Sequence, residues 1–317
     1  MVNNMGKKIF KTLDEQVEIF RSKGLVIVDE EKTKDILLRE NYFFINGYRH
    51  LFMKSWKDSN FIPGTTFEEL YAMFVFDRRV RNIFFKNLLI VENNVKSLIS
   101  HQLSKNYGFK EKEYLNPKNF TKDPMQSRQV HDVLNKVKRQ IRVNGKQHAA
   151  TMHYITNYGY IPLWILVKVL SFGIVSELYN ILDYKDKSAI SDYYRVDSST
   201  LGIYLSILSN YRNLCAHEDI LYDHRTQKQI PDSIYHKMLY IDRTDGEYNY
   251  GKNDLFSVVI IFRQLLTPSE FVDFINEVGF EIDMLAGKTN VLPIDNILNK
   301  IGFPSNWRDI KSIERGI

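Results

Sequence analysis

Residues 67–104 read FEELYAMFVFDRRVRNIFFKNLLIVENNVKSLISHQLS. Leu70, Phe74, Phe84, Leu88, Val91, Val95, Leu98 and Ile99 recur there at three and four or, between Phe74 and Phe84, at a sum of such steps, which lines one face of an α-helix. The stretch therefore predicts one or two long helices with a continuous apolar stripe.

The same period dominates on either side. After a polar break over Asn106–Pro117, Val130, Leu134, Val137 and Ile141 mark the packing face of a helix across Arg128–Val143. Asn135, Arg139, Arg142 and Lys146 line the opposite face, so its basic stripe is separable from its packing stripe. Pro162 followed by LWILVKVLSFG predicts a helix opened by proline and closed near Gly173, with VSELYNIL continuing beyond. Asp197-Ser198-Ser199-Thr200 is a capping cluster whose helix runs toward His217. TPSEFVDFINEVGF opens another helix with a Thr-Pro-Ser cap. Strand-like runs are few, and the DG pair in DRTDGEYNY predicts a local hairpin or ordered loop. The expected fold is all-α. NFIPGTT interrupts the helical pattern near Ser59–Thr66, which suggests an N-terminal helical segment over 1–62 and a larger helical domain over 63–317.

The 317 residues are 44% hydrophobic, enough to bury a sizeable core. Nineteen Tyr and twenty Phe exceed what a small core needs, which leaves rings for a binding surface. A single cysteine excludes an intramolecular disulfide and cysteine-rich zinc sites, in keeping with a reducing cytoplasm. The apolar runs PLWILVKVLSF and FSVVIIF are too short to span a bilayer, and MVNNMGKKIFKTLDEQ lacks a signal-type apolar stretch. A cytoplasmic protein with no membrane partner is expected. Net charge is +5, but segment 101–150 alone holds eleven Lys and Arg against four Asp and Glu. That local +7 suits a polyanion such as RNA, with Lys136, Arg139, Arg142 and Lys146 as candidate contacts. A solvated helix face would carry the same charges.

Residues 210–219, NYRNLCAHED, place Arg212, Asn213 and His217 at the expected end of the helix that Asp197 opens. Leu201, Leu205, Leu208 and Arg212 follow helical spacing, so the arginine falls on the apolar stripe. Ser206, Ser209, Asn210, Asn213 and His217 form a second, polar stripe. These residue types suit phosphodiester cleavage. Histidine can move the proton of a ribose 2′-hydroxyl, arginine offers a planar fork of donors to a charged phosphorus centre, and asparagine can orient either. Arg212 and His217 stand about 140° apart around a regular helix, so they converge only if the last turn unwinds or a second copy faces the first. Glu92 interrupts the stripe of the long helix and is a candidate to orient Arg212, with a surface position as the equal alternative. The same residues also suit a structural helix end in which Arg212 pairs with a carboxylate and His217 meets the helix dipole. His217, Glu218, Asp219, Asp223 and His224 can be drawn as a metal cluster, but no regular zinc spacing occurs and no metal or cofactor is expected. Cys215 shares the apolar face with Tyr211 and is expected to be a buried structural thiol.

Several separated blocks in order resemble the Abi-like family of bacterial abortive-infection proteins, of the AbiD/AbiF type, within the all-α HEPN superfamily. They are LDEQVEIFRSKGLVIVDEEK, ENYFFINGYRH, TTFEELYAMFVFDRRVRNIFFKNLLIVENNVKSLISHQLS, PLWILVKVLSFGIVSELYNIL, NYRNLCAHEDILYDHR and IGFPSNWRDI, from about Leu13 to Ile310. The resemblance implies a HEPN-type helical bundle with an extra N-terminal segment and a basic helical insertion over 101–150. It also implies a metal-independent endoribonuclease, an RNA-cleaving toxin of antiviral defence, whose R-N-x-x-x-H motif is Arg212, Asn213 and His217. Two such helices commonly compose one site in a homodimer, and a structured non-coding RNA antitoxin restrains relatives of this type. Where many relatives carry a basic or small polar residue after the histidine, this chain has Glu218 and Asp219. The second class consistent with the sequence is a non-catalytic HEPN-like module that binds RNA or protein.

Overall fold

A computed structural model describes residues 9–55 and 57–315; the first eight residues of the expected N-terminal segment and the last two of the chain lie outside them. The elements are α1 (Leu13–Ser22), α2 (Glu30–Glu40), α3 (Tyr42–Asn46), β1 (Met53–Ser55), β2 (Asp58–Phe61), α4 (Phe67–Tyr107), α5 (Glu111–Tyr114), α6 (Ser127–Asn144), α7 (Ala149–Tyr158) and α8 (Leu163–Leu166). They continue with α9 (Phe172–Ile181), α10 (Tyr184–Tyr193), α11 (Ser198–Ala216), α12 (Ile234–Met238), β3 (Arg243–Thr244), β4 (Glu247–Tyr248), α13 (Leu255–Leu265), α14 (Pro268–Ala286) and α15 (Ile294–Ile301). Among the described residues the fold is all-α apart from two short antiparallel hairpins.

Two compact units divide the chain: Met1–Val80 with Glu277–Lys300, and Arg81–Asn276 with Ile301–Ile317. In the first, Thr66 and Glu69 form a reciprocal cap that starts α4. The Glu69 amide donates to Thr66 Oγ1 at 3.2 Å while the Thr66 amide donates to Glu69 Oε2 at 3.1 Å. The other oxygen of Glu69 accepts the amides of Asn290 and Val291, at 2.6 and 2.8 Å. The hairpin β1–β2 stands just before this cap, where helical periodicity gives no signal.

In the second unit, the stripe read from sequence is the core. Phe84, Leu88, Val91, Val95 and Ile99 of α4 are fully buried, and the expected one or two helices are one. Every residue of α13 is buried, so the run FSVVIIF is a core helix. Phe84, Phe262 and Phe274 meet edge to face or tilted, with ring centroids 5.0–5.9 Å apart, and join α4, α13 and α14 at one point. No helix among the described residues is long and apolar enough to cross a membrane.

One expected boundary moves. Gly173 closes no helix: the segment after Pro162 breaks at Leu170, and Ser171 accepts the Ile174 amide at 3.4 Å to start α9 afresh. The serine cap outcompetes the glycine stop because it satisfies an otherwise orphan amide. The DG pair does make a hairpin, with Asp245 and Gly246 both in the left-handed region that such a tight turn requires.

Candidate active site

The site is built on α11, and both of its ends are specified locally. At the start, Asp197 accepts the Thr200 amide at 2.9 Å. Burial works against ionising its carboxyl, but hydrogen bonds from Ser199 and Thr200 outweigh that and lower its pKa to about 2. Leu201, Leu205 and Leu208 turn inward, as their spacing predicts. At the far end the His217 amide donates to the Asn213 carbonyl at 3.0 Å, and Asp219 and Glu218 donate back to Leu214 and Cys215. This is a Schellman turn, with Glu218 holding the left-handed position usually given to glycine, at φ 58°. Arg81 of α4, itself buried, donates to the Asp219 carbonyl at 3.0 Å and fastens the turn from outside. The last turn of α11 therefore does not unwind, and that route to bringing Arg212 beside His217 within one chain is not taken.

Arg212 lies where the polar and apolar stripes meet, with 28% of its side chain exposed. Its Nε donates to Glu92 Oε2 at 3.2 Å, and its guanidinium stands 5.8 Å from the Phe85 ring centroid. Glu92 is buried rather than on the surface, and its second oxygen accepts from Lys96 Nζ at 2.6 Å. One buried carboxylate thus serves two cations, so the triad keeps a net positive charge and the carboxylate is fully matched. Both terminal nitrogens of Arg212 make no hydrogen bond among the described residues. A free guanidinium edge of this kind offers two parallel donors, a geometry that suits carboxylate or phosphate oxygens.

Asn213 and His217 are exposed, and neither side chain has a hydrogen-bond partner among the described residues. The polar stripe is less uniform than its sequence. Ser209 is buried near Gly173 of α9. Asn210 Oδ1 stands 2.6 Å from His224 Nε2, and burial pushes the pKa of His224 down, so the neutral imidazole donates to the amide oxygen. Tyr211 packs edge-on against the same imidazole and donates to the His224 carbonyl at 3.2 Å. The cluster drawn from His217, Glu218, Asp219, Asp223 and His224 is not assembled. Among the described residues no three His, Cys, Asp or Glu side chains are grouped to hold a metal ion. Cys215 is buried.

Sequence reasoning missed Arg81, Lys96 and the Asn210–His224 pair. Lys96 was legible as the i+4 partner of Glu92, and Arg81 as a charge three residues before Phe84 on the buried stripe. Nothing local signals that His224 folds back onto Asn210.

The four candidate contacts of the basic segment lie on α6 and in the turn after it. Arg139, Arg142 and Lys146 are exposed and make no ion pair among the described residues. Lys136 differs: its ammonium is 2.7 Å from both carboxylate oxygens of Glu177 on α9, which partly cancels its charge.

The sequence model of the Abi-like protein family matches residues 35–223, which include α4, the basic segment and all of α11 through His217. No curated protein and no solved structure matches the chain. With more than half of its length matched, motif helix included, the chain belongs to the Abi-like protein family.

Proposed function

We propose that this chain is a metal-independent endoribonuclease of HEPN type, acting in abortive-infection defence and restrained by a bound structured non-coding RNA. The observation that carries this is the state of Arg212. A buried carboxylate fixes it through Nε, and its terminal nitrogens stay open on the helix that exposes Asn213 and His217. RNA supplies its own nucleophile. The ribose 2′-hydroxyl attacks the adjacent phosphorus as its proton passes to a histidine, the leaving 5′-oxygen receives a proton, and a 2′,3′-cyclic phosphate forms. Arg212 donates to the phosphoryl oxygens where negative charge builds, and Asn213 orients the phosphate or the imidazole. A homodimer that faces two α11 helices supplies two histidines, one as base and one as acid, and removes the angular problem between Arg212 and His217.

The test is cleavage of RNA in EDTA by the parent protein and by His217→Ala. The parent should cut and leave cyclic or 3′-phosphate ends. Cutting by the variant, or of a strand that lacks the scissile 2′-hydroxyl, would overturn the mechanism. The Arg212–Glu92 pair also favours a second reading, a non-catalytic RNA- or protein-binding scaffold, because such a pair secures a helix crossing without chemistry.

A further inference from the structure

Where α7 ends, five rings and a lysine form one continuous surface. Tyr154 and Tyr158 sit one turn apart, centroids 5.3 Å apart, with His153 against both. Tyr158 is followed by Tyr160 at 6.3 Å, and Tyr160 by Phe109 at 5.4 Å. Lys110 Nζ lies 5.8 and 5.6 Å from the last two ring centroids. These rings are not core: Tyr158 is 56% and Phe109 43% exposed, and Tyr154 and Tyr160 are half-buried.

The surface is held in place from below. Gly159, in the left-handed region, ends α7 with its amide on the Ile155 carbonyl and turns the chain between Tyr158 and Tyr160. Ile161 then donates to Glu111 Oε1 at 2.6 Å and accepts from the buried Tyr114 hydroxyl at 2.7 Å. These two bonds tie the strand of chain bearing Tyr160 to the loop bearing Phe109 and Lys110. The start of α7 is seated on the end of α6, where Thr151 donates to the Asn144 carbonyl at 3.4 Å. The helix that carries Tyr154 and Tyr158 therefore starts where the helix that carries Arg139 and Arg142 ends.

We propose that the aromatic row Tyr154–Tyr158–Tyr160–Phe109 is a stacking platform for unpaired RNA bases, with the free cations of α6 holding the phosphates of the same strand. The pairing of exposed ring faces with uncompensated positive charge is what separates a nucleic-acid strand from an apolar protein partner. Ring faces stack on any base, and cations track the backbone. The inference rests on the RNA reading above but not on cleavage.

Binding is measured on the His217→Ala background by fluorescence anisotropy, with a short labelled oligouridylate and a hairpin of equal length. Tyr154→Ala/Tyr158→Ala should weaken single-strand binding roughly tenfold or more, spare the hairpin, and leave the salt dependence unchanged because no cation is lost. Tyr154→Phe/Tyr158→Phe should bind as the background protein does. A 2-aminopurine in the strand should be quenched on binding to the unaltered rings, so that the outcome does not depend on the folding of the alanine variant. Unquenched probe, unchanged single-strand affinity in the alanine pair, or equal loss on the hairpin would overturn the platform and leave the rings to a protein partner. Failure of the parent to cut RNA would touch only the nuclease reading.

Discussion

Two arginines on neighbouring core helices differ in how many of their donors they commit, and the difference bears on the proposed chemistry. Arg263 of α13 is buried over the Phe271 ring, 5.4 Å from its centroid, and spends both Nε and Nη2 on the Ile313 carbonyl. Arg212 of α11 sits over Phe85 in the same way, yet commits only Nε, to Glu92. Each guanidinium lies over a ring, but Arg263 is held by two donors converging on one main-chain carbonyl in a buried site, whereas Arg212 is held through Nε alone, on a carboxylate, with both terminal nitrogens uncommitted and part of its side chain exposed.

The largest expected contrast comes from replacing each arginine. Arg212→Lys should cut RNA about a hundredfold more slowly or worse, because an ammonium does not reproduce the planar fork, and it retains a cation for Glu92, so stability should fall far less than cleavage; His217→Ala should abolish cleavage at the parent melting temperature. Arg263→Met should do the reverse. It strands the Ile313 carbonyl and costs about 1–3 kcal/mol in urea unfolding, with cleavage per folded molecule unchanged. If Arg263→Met also silenced cleavage at full folding, the division of labour would be wrong.

Glu92→Gln tests the anchor. It leaves Lys96 and Arg212 without their shared anion in a buried site, so unfolding should become easier by about 3–5 kcal/mol and cleavage should fall with it. Stability lost with cleavage intact would make Glu92 a counter-ion only.

A smaller effect is expected on α6. Replacing Arg139, Arg142 and Lys146 together should lower RNA affinity and flatten its salt slope by about two units, since each lost phosphate contact removes roughly 0.7 of a counterion on a single strand. An unchanged slope would move the RNA surface elsewhere.

The smallest is at the start of α11. Asp197→Ala should cost about 1 kcal/mol near neutral pH. The folded carboxyl titrates at about 2, below its ordinary 3.8, so the cap contributes fully above that ordinary value and loses its contribution as pH falls through the folded one. The gap between parent and variant in thermal melts should close on acidification. A constant gap would mean that the charge on Asp197 does not matter.

What was legible in the sequence divides along the same line. The long stripe of α4 and both ends of α11 are local: they rest on three- and four-residue spacing and on one side chain reaching an amide three residues on. The break at Leu170 was missed because a glycine stop and a serine cap compete within three residues, and sequence does not rank them. Arg212, Asn213 and His217 were legible as a motif, but the state of each depends on distant chain. Glu92 is 120 residues away from Arg212, and its burial follows from which α4 face meets α11. Lys136 reads as a free cation until Glu177 is placed beside it, 41 residues on.

Glu218 has a dynamic consequence. Helix ends usually fray within nanoseconds, and a residue with a side chain in the left-handed region favours that release by about 1–2 kcal/mol. Here fraying would also have to break the Arg81 bond to the Asp219 carbonyl, which anchors the turn to the longest helix of the fold. Backbone motion of His217 is thereby tied to slower, sub-global opening of α4 against α11. The imidazole is left to rotate about its own side-chain bonds on a main chain that stays put, and its reach is set by rotamers alone.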